Sequence, residues 1–183
     1  MHLIRTKLSA VIAALVLLFS LVFAAGARAD GDYVRTGTAT RVKKVAFISV
    51  DVYDIAHSMK ALPKPKSKQA IIDMEVGKKF EWTMKRDVDH EKIIGALKDA
   101  YAMNGYADTA KINQFMAAFR GELKKGSKVS IVYDADKKAT TVNVDGGGSA
   151  TIPGVDFMKG TWKIWFGTID QPDLGDRLMS QIP

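Results

Sequence analysis

The chain has 183 residues, no cysteine, and a formal net charge of +7 from 27 basic and 20 acidic side chains. The lack of cysteine excludes thiol catalysis, thiol-anchored lipidation and the small disulfide-stapled secreted folds. Its three histidines, His2, His57 and His90, stand far apart with no acidic residue at ligand spacing, so neither a metal site nor a cofactor is expected.

The chain opens on Arg5 and Lys7, then runs almost continuously apolar from Leu8 to Ala25 and reaches Ala27-Arg28-Ala29 before Asp30. A basic start, an apolar run and a small-x-small site describe a cleavable signal peptide over residues 1–29. An uncleaved membrane anchor is the alternative reading of the same run. Cleavage leaves residues 30–183 as a single periplasmic domain, with no other segment able to span a bilayer. Its 24 basic and 20 acidic residues give a net charge of +4, ordinary for a small soluble domain.

Tyr33 to Thr40 is rich in Thr and Val and reads as a first strand. Arg41 to Asp54 alternates polar with β-branched or aromatic residues, the pattern of a half-buried strand. Together they predict a hairpin turning near Val42–Lys44, with Val45–Tyr53 as its second strand. Residues 60–68 hold two prolines among four lysines and read as a solvated loop. Ala70–Val76 reads as a strand, Gly77-Lys78-Lys79 as a turn, and Phe80–Asp87 as a strand with Phe80, Trp82 and Met84 on its core face.

The period then changes. Asp89 can cap a helix whose apolar stripe holds Ile93, Ile94, Leu97, Ala100 and Tyr101, ended by Asn104-Gly105. Asp108 or Thr109 starts a second helix carrying Ile112, Phe115, Met116 and Phe119. Lys128 to Asp145 predicts a hairpin around Ala135–Lys138, followed by a short strand, Ser149–Ile152. Pro153-Gly154 breaks it, Val155–Phe166 reads as a helix closed by Gly167, and a last helix runs from Asp173 to Ser180. Hairpin strands with grouped helices make this an α+β chain, its helices layered on an antiparallel sheet.

Motifs for familiar chemistry are missing. Asp134 and Asp136 lack the glycine and distal glutamate of a calcium loop, and Gly146–Gly148 lacks the lysine of a phosphate loop. The lysines, Lys64, Lys66, Lys68, Lys78, Lys79, Lys124 and Lys125 among them, fall in predicted loops and turns. They serve solubility, and no nucleic-acid partner is expected. Trp162 and Trp165 sit at core spacing on the predicted helix.

Several segments, in order, resemble the chalcone isomerase-like family, particularly its exported bacterial branch. The clearest is Ile152-Pro153-Gly154-Val155-Asp156-Phe157 with Trp162-Lys163-Ile164-Trp165-Phe166-Gly167. Lys111–Tyr133 is similar to the family's helix-to-strand passage, and Gly37-Thr38-Ala39-Thr40-Arg41 to its Gly-x-Gly-x-Arg start, with alanine at the second glycine. The likeness covers residues 33–182. It implies an open-faced β-sandwich, an antiparallel sheet covered on one side by helices, with a cleft between the sheet and the first helix.

In the plant enzymes of that family an arginine orients a phenolate for ring closure, helped by tyrosine, asparagine and threonine. Only the arginine carries over, as Arg41. The tyrosine position falls on Asp89, the asparagine on Ala96, and the threonines on Ile164 and near Ile48. Ala96 and Ile164 offer no donor to a developing enolate, so chalcone cyclisation is not expected and no catalytic residue is assigned.

A second branch of the family binds fatty acids without catalysis, through the same arginine and a tyrosine further along the hairpin. The resemblance therefore implies a small apolar carboxylate ligand, for which a guanidinium is suited. With the turn near Lys43, however, Tyr53 would lie roughly 20 Å beyond Arg41's cross-strand neighbour, too far to share a ligand. Tyr53 and Tyr101 stand as candidate hydroxyls, and Phe47, Trp82, Ile93, Leu97 and Trp162 as candidate walls. Two other readings remain open. One is an isomerase or intramolecular lyase on another substrate, with Asp89 or Tyr101 as its acid or base. The other is an accessory envelope protein whose cleft is filled by its own side chains.

Overall fold

The computed structural model describes residues 33–183. Six strands, β1 (Val34–Val45), β2 (Ile48–Met59), β3 (Lys78–Met84), β4 (Lys128–Asp134), β5 (Ala139–Val144) and β6 (Ser149–Pro153), pair antiparallel in chain order. A short helix α1 (Lys68–Asp73) lies between β2 and β3, and α2 (His90–Met103) and α3 (Thr109–Met116) lie between β3 and β4. Helices α4 (Val155–Phe166) and α5 (Leu174–Leu178) close the chain. This is the α+β arrangement expected from the pattern of periods, and the open-faced sheet that the resemblance implies.

Register explains the layering. Cross-strand partners share a face, and one row runs Ile55–Trp82–Val129–Val144 while the next runs His57–Phe80–Ile131–Val142. All eight side chains are buried, whereas Thr83, Glu81, Ser130 and Asn143, on the other face, are not. Helix α4 lies at the centre of the covering layer, with Phe157, Met158, Trp162, Trp165 and Phe166 buried and contacts to α1, α2 and α5. The core residues lie between Tyr53 and Ile182, so residues 33–183 carry their own core.

Cap chemistry holds the helix starts where the sequence puts them. The Asp89 carboxylate accepts from the Glu91 amide at 2.7 Å, and the Asp108 carboxylate from the Lys111 amide at 3.1 Å. Two expectations are overturned. Ala70–Val76 is not a strand: the Ser67 hydroxyl accepts from the Ala70 amide at 3.1 Å, which starts α1, and only the adjacent Ile71 and Ile72 face inward. Nor is Lys78 a solvated turn lysine. It opens β3 fully buried, donating to the Ile71 and Ile72 carbonyls at 2.6 and 3.0 Å and thereby capping the end of α1.

The third correction concerns the first hairpin. Its turn is Ala46–Phe47, not Val42–Lys44, and β1 runs on to Val45. Each residue by which a turn centre moves shifts the partner of Arg41 by two, and an extra residue at Val52 adds one more. Arg41 consequently lies directly opposite Tyr53. The hairpin is longer than counting suggested. Among the described residues no helix is long and apolar enough to cross a membrane.

Candidate anion site at Arg41

Arg41 shares the inner face with Tyr53, at the end of the sheet where β3 stops pairing with β2. Its guanidinium donates to the Asp170 carboxylate, to the Val42 carbonyl at 2.8 Å and to the Gln171 side-chain oxygen at 3.4 Å. Lys43 reaches the other Asp170 oxygen at 3.2 Å. Burial pushes the Asp170 carboxyl upward, but Arg41 and Lys43 outweigh it and hold the group below the usual carboxylate range. Gln171 accepts from the Val42 amide at 2.9 Å and donates to the Thr40 carbonyl at 3.1 Å, which pairs backbone groups of the edge strand β1.

Tyr53 forms the inner wall. Its hydroxyl accepts from the Trp165 indole at 3.1 Å, and its ring lies 4.6 Å from that of Trp82. Burial raises the Tyr53 pKa above its ordinary value although Trp165 and Arg41 both favour ionisation, so the hydroxyl is neutral at physiological pH. Among the described residues the buried Trp82 indole N–H has no hydrogen-bond partner, an unmet donor in the same aromatic floor. Chemically the arrangement suits a carboxylate: a guanidinium with two donating nitrogens stands beside a neutral hydroxyl, and a carboxylate of the chain itself is seated on it.

The other candidates separate. Trp82 joins Arg41 through Tyr53. Ile93 and Leu97 are buried on α2 as part of the core. The Trp162 indole donates to the inward ring nitrogen of His57 at 2.9 Å and takes no part in the Arg41 cluster. Tyr101 turns its hydroxyl to Thr161 at 2.8 Å, one turn of α4 before Trp165, and burial pushes its pKa far upward. Phe47 is fully exposed at the hairpin tip and lines no interior wall, because the turn falls on it. Asp89 is spent as the α2 cap, while Ala96 and Ile48 are exposed.

Asp170, Gln171 and Trp165 complete the site, and sequence reasoning did not place them there. Asp170 lies 129 positions from Arg41, between the two predicted C-terminal helices, so no local spacing signals the pair. The cleft between sheet and helices is filled. Phe80 packs at 5.0 Å against Trp162 and at 4.5 Å against Trp165, and these side chains are all fully buried. A concavity of about 820 Å³ lies instead on the uncovered face, lined by polar groups such as Arg35, Thr38, Thr40, Glu81 and Asn143.

With this geometry described, the relatives can be compared. The sequence model of a family described as chalcone isomerase-like matches residues 28–174. The chain belongs to that family. No curated protein matches it in sequence. Among solved structures it is similar to the fatty-acid binding protein AtFAP1 of Arabidopsis thaliana, with a TM-score of 0.63 and 10% identity over 85% of this chain and 93% of that one. At that identity the likeness establishes a shared chalcone isomerase-like fold. A shared fold does not fix function, so the surroundings of Arg41 in this chain carry the functional reading.

Proposed function

We propose that this chalcone isomerase-like protein is a non-catalytic binder of a small apolar acid, held at Arg41 and Tyr53 and exchanged against its own Asp170. One observation carries the reading: a carboxylate already occupies the guanidinium, supplied by the exposed Asp170 of the connection after α4. The fatty-acid ligand of the structural relative supports the ligand class. Val52 and Ile169, half-buried next along the chain from Tyr53 and Asp170, would receive the apolar end. The signal-like residues 1–29, which lie outside the described residues, support export to the periplasm and a mature domain from Asp30.

The filled interior favours a second reading, an accessory envelope protein in which the Arg41–Asp170 pair is structural. Titration calorimetry with medium- and long-chain fatty acids separates the two. On the binding reading Arg41→Ala weakens the acid about ten- to hundredfold, the worth of a charge-assisted hydrogen bond. Asp170→Asn tightens it, because the internal competitor is gone. If neither the parent nor Asp170→Asn binds any acid, the accessory reading stands.

A further inference from the structure

The first hairpin projects past the sheet. β3 pairs with β2 only as far as Met84 opposite Tyr53, so among the described residues the pairs from Val42–Asp51 to Val45–Ile48 have no third strand. At its tip Phe47 is fully exposed and Ile48 is 68% exposed. The turn also breaks ordinary turn chemistry. Two-residue hairpin turns favour Asn-Gly because left-handed backbone is needed, yet Ala46 adopts φ 53°, a conformation unfavourable for a residue with a Cβ. Strain and an exposed aromatic at adjacent positions are the signature of a contact outside the chain.

The surrounding charge indicates what that contact is. Lys43 and Lys44 are exposed on the same hairpin. The one acid of the projecting part, Asp51, is ion-paired to Lys85 at 3.2 Å, and Lys43 shares Asp170 with Arg41. Two side chains on a convex tip fall far short of the roughly 800 Å² that each partner gives a stable protein interface. A fluid bilayer needs no complementary surface, only apolar groups that enter it and cations for its phosphates.

We propose that the Ala46–Phe47 tip docks on an anionic lipid surface, with Phe47 and Ile48 entering the acyl boundary and Lys44 and Lys43 against the phosphates. Arg41 lies five residues behind the tip, roughly 17 Å along the strand, which leaves the anion site outside the bilayer but facing it. Docking uses the tip alone and does not rest on Arg41 holding an acid.

The test uses the chain from Asp30 onward, which keeps the whole core, with vesicles of phosphatidylcholine alone or mixed with phosphatidylglycerol. In F47W the added indole should shift to the blue and be quenched by brominated lipid on anionic vesicles only, while the buried Trp82, Trp162 and Trp165 stay unquenched. Co-sedimentation with anionic vesicles should fall about tenfold or more in F47S/I48S, and should weaken in K44E and at high salt. The melting temperature of F47S/I48S should match the parent, and R41A should dock as the parent does. Absence of quenching on anionic vesicles, or vesicle binding unchanged in F47S/I48S, overturns the proposal. So does a concentration-dependent dimer that F47S/I48S abolishes without any vesicle binding, since the tip would then join copies of the chain.

Discussion

At the scale of single residues, His57 and Thr36 show how the network fixes a protonation state. The Trp162 indole can only donate, so the His57 ring nitrogen facing it accepts and carries no proton. The other ring nitrogen, 2.6 Å from the Thr36 hydroxyl, is then the protonated one and donates to it, and the Thr36 hydroxyl donates in turn to the Leu178 carbonyl at 2.7 Å. Burial, then the positive charges of Lys78 and Arg35, hold the His57 pKa well below 6.5. Because the unfolded chain binds that proton first, this contribution is full above about pH 6.5 and is lost as pH falls below it. Denaturant midpoints measured from pH 7 down to pH 4.5 should therefore fall in the parent. His57→Gln, which can still accept from Trp162, should start lower by about 1–3 kcal/mol but change much less over that range. Asp170 and Asp156, held below their ordinary range, lose stability in the same direction, but only from about pH 5 downward, so the fall between pH 7 and pH 5 belongs to His57.

At the scale of elements, the docking of α5 on β1 depends on Gly37. A Cβ there would meet the Arg177 carbonyl oxygen at 2.2 Å and the Leu178 carbonyl carbon at 2.7 Å, both backbone atoms that cannot swing away. Thr36, the extra residue in the β1–β2 register just before it, accepts the Gln181 amide at 2.8 Å with its carbonyl and reaches Leu178 with its hydroxyl. One bulge and one glycine thus join the last helix to the first strand. Gly37→Ala should lower stability by about 2–3 kcal/mol through overpacking, read from the urea midpoint. An unchanged midpoint would mean that α5 docks by its apolar side chains, Leu174 and Leu178, alone. The resemblance to a Gly-x-Gly-x-Arg motif marked Gly37 without saying why a glycine stands there; the backbone approach of α5 supplies the reason.

At the scale of the whole molecule, two buried bases set the pH response in opposite halves of the range. His57 acts below neutrality. Burial, with Lys159 nearby, pushes Lys78 down to about 7, against the pull of Asp73 and Glu75. In the unfolded chain this lysine titrates near 10.5, so between these values the unfolded state holds the extra proton and stability rises with pH. The ammonium also lies 4.9 Å from the Trp162 ring centre and donates to the two α1 carbonyls, which keeps the charged form tolerable at neutral pH. Thermal unfolding from pH 7 to pH 10 should show a rising Tm in the parent and a flat one in Lys78→Met. An equal rise in both would assign the slope to other groups.

The sequence by itself determined most of this protein. The period-2 runs set the strands after Phe80, the period-3.6 runs with Asp89 and Asp108 as caps set the helices, and Arg41 stood out as the cation that ends the Gly37–Arg41 motif. These features are legible because each depends on neighbours within a turn or a strand. Where local signals were thin, reading failed: a turn without Gly or Asn slid by several residues, and six residues around Ile71 and Ile72 were too few to tell a helical turn from a strand. Only the tertiary structure decided what surrounds Arg41. Tyr53 came opposite it through a register that the turn and one bulge control, and Asp170 came to it from the far end of the chain. Such contacts are chosen by the packing of α4 on the sheet, which no local spacing encodes. Between strand and helix the cleft is closed by Trp162, Trp165 and Phe80, because side chains that look like walls in the sequence are large enough together to fill it.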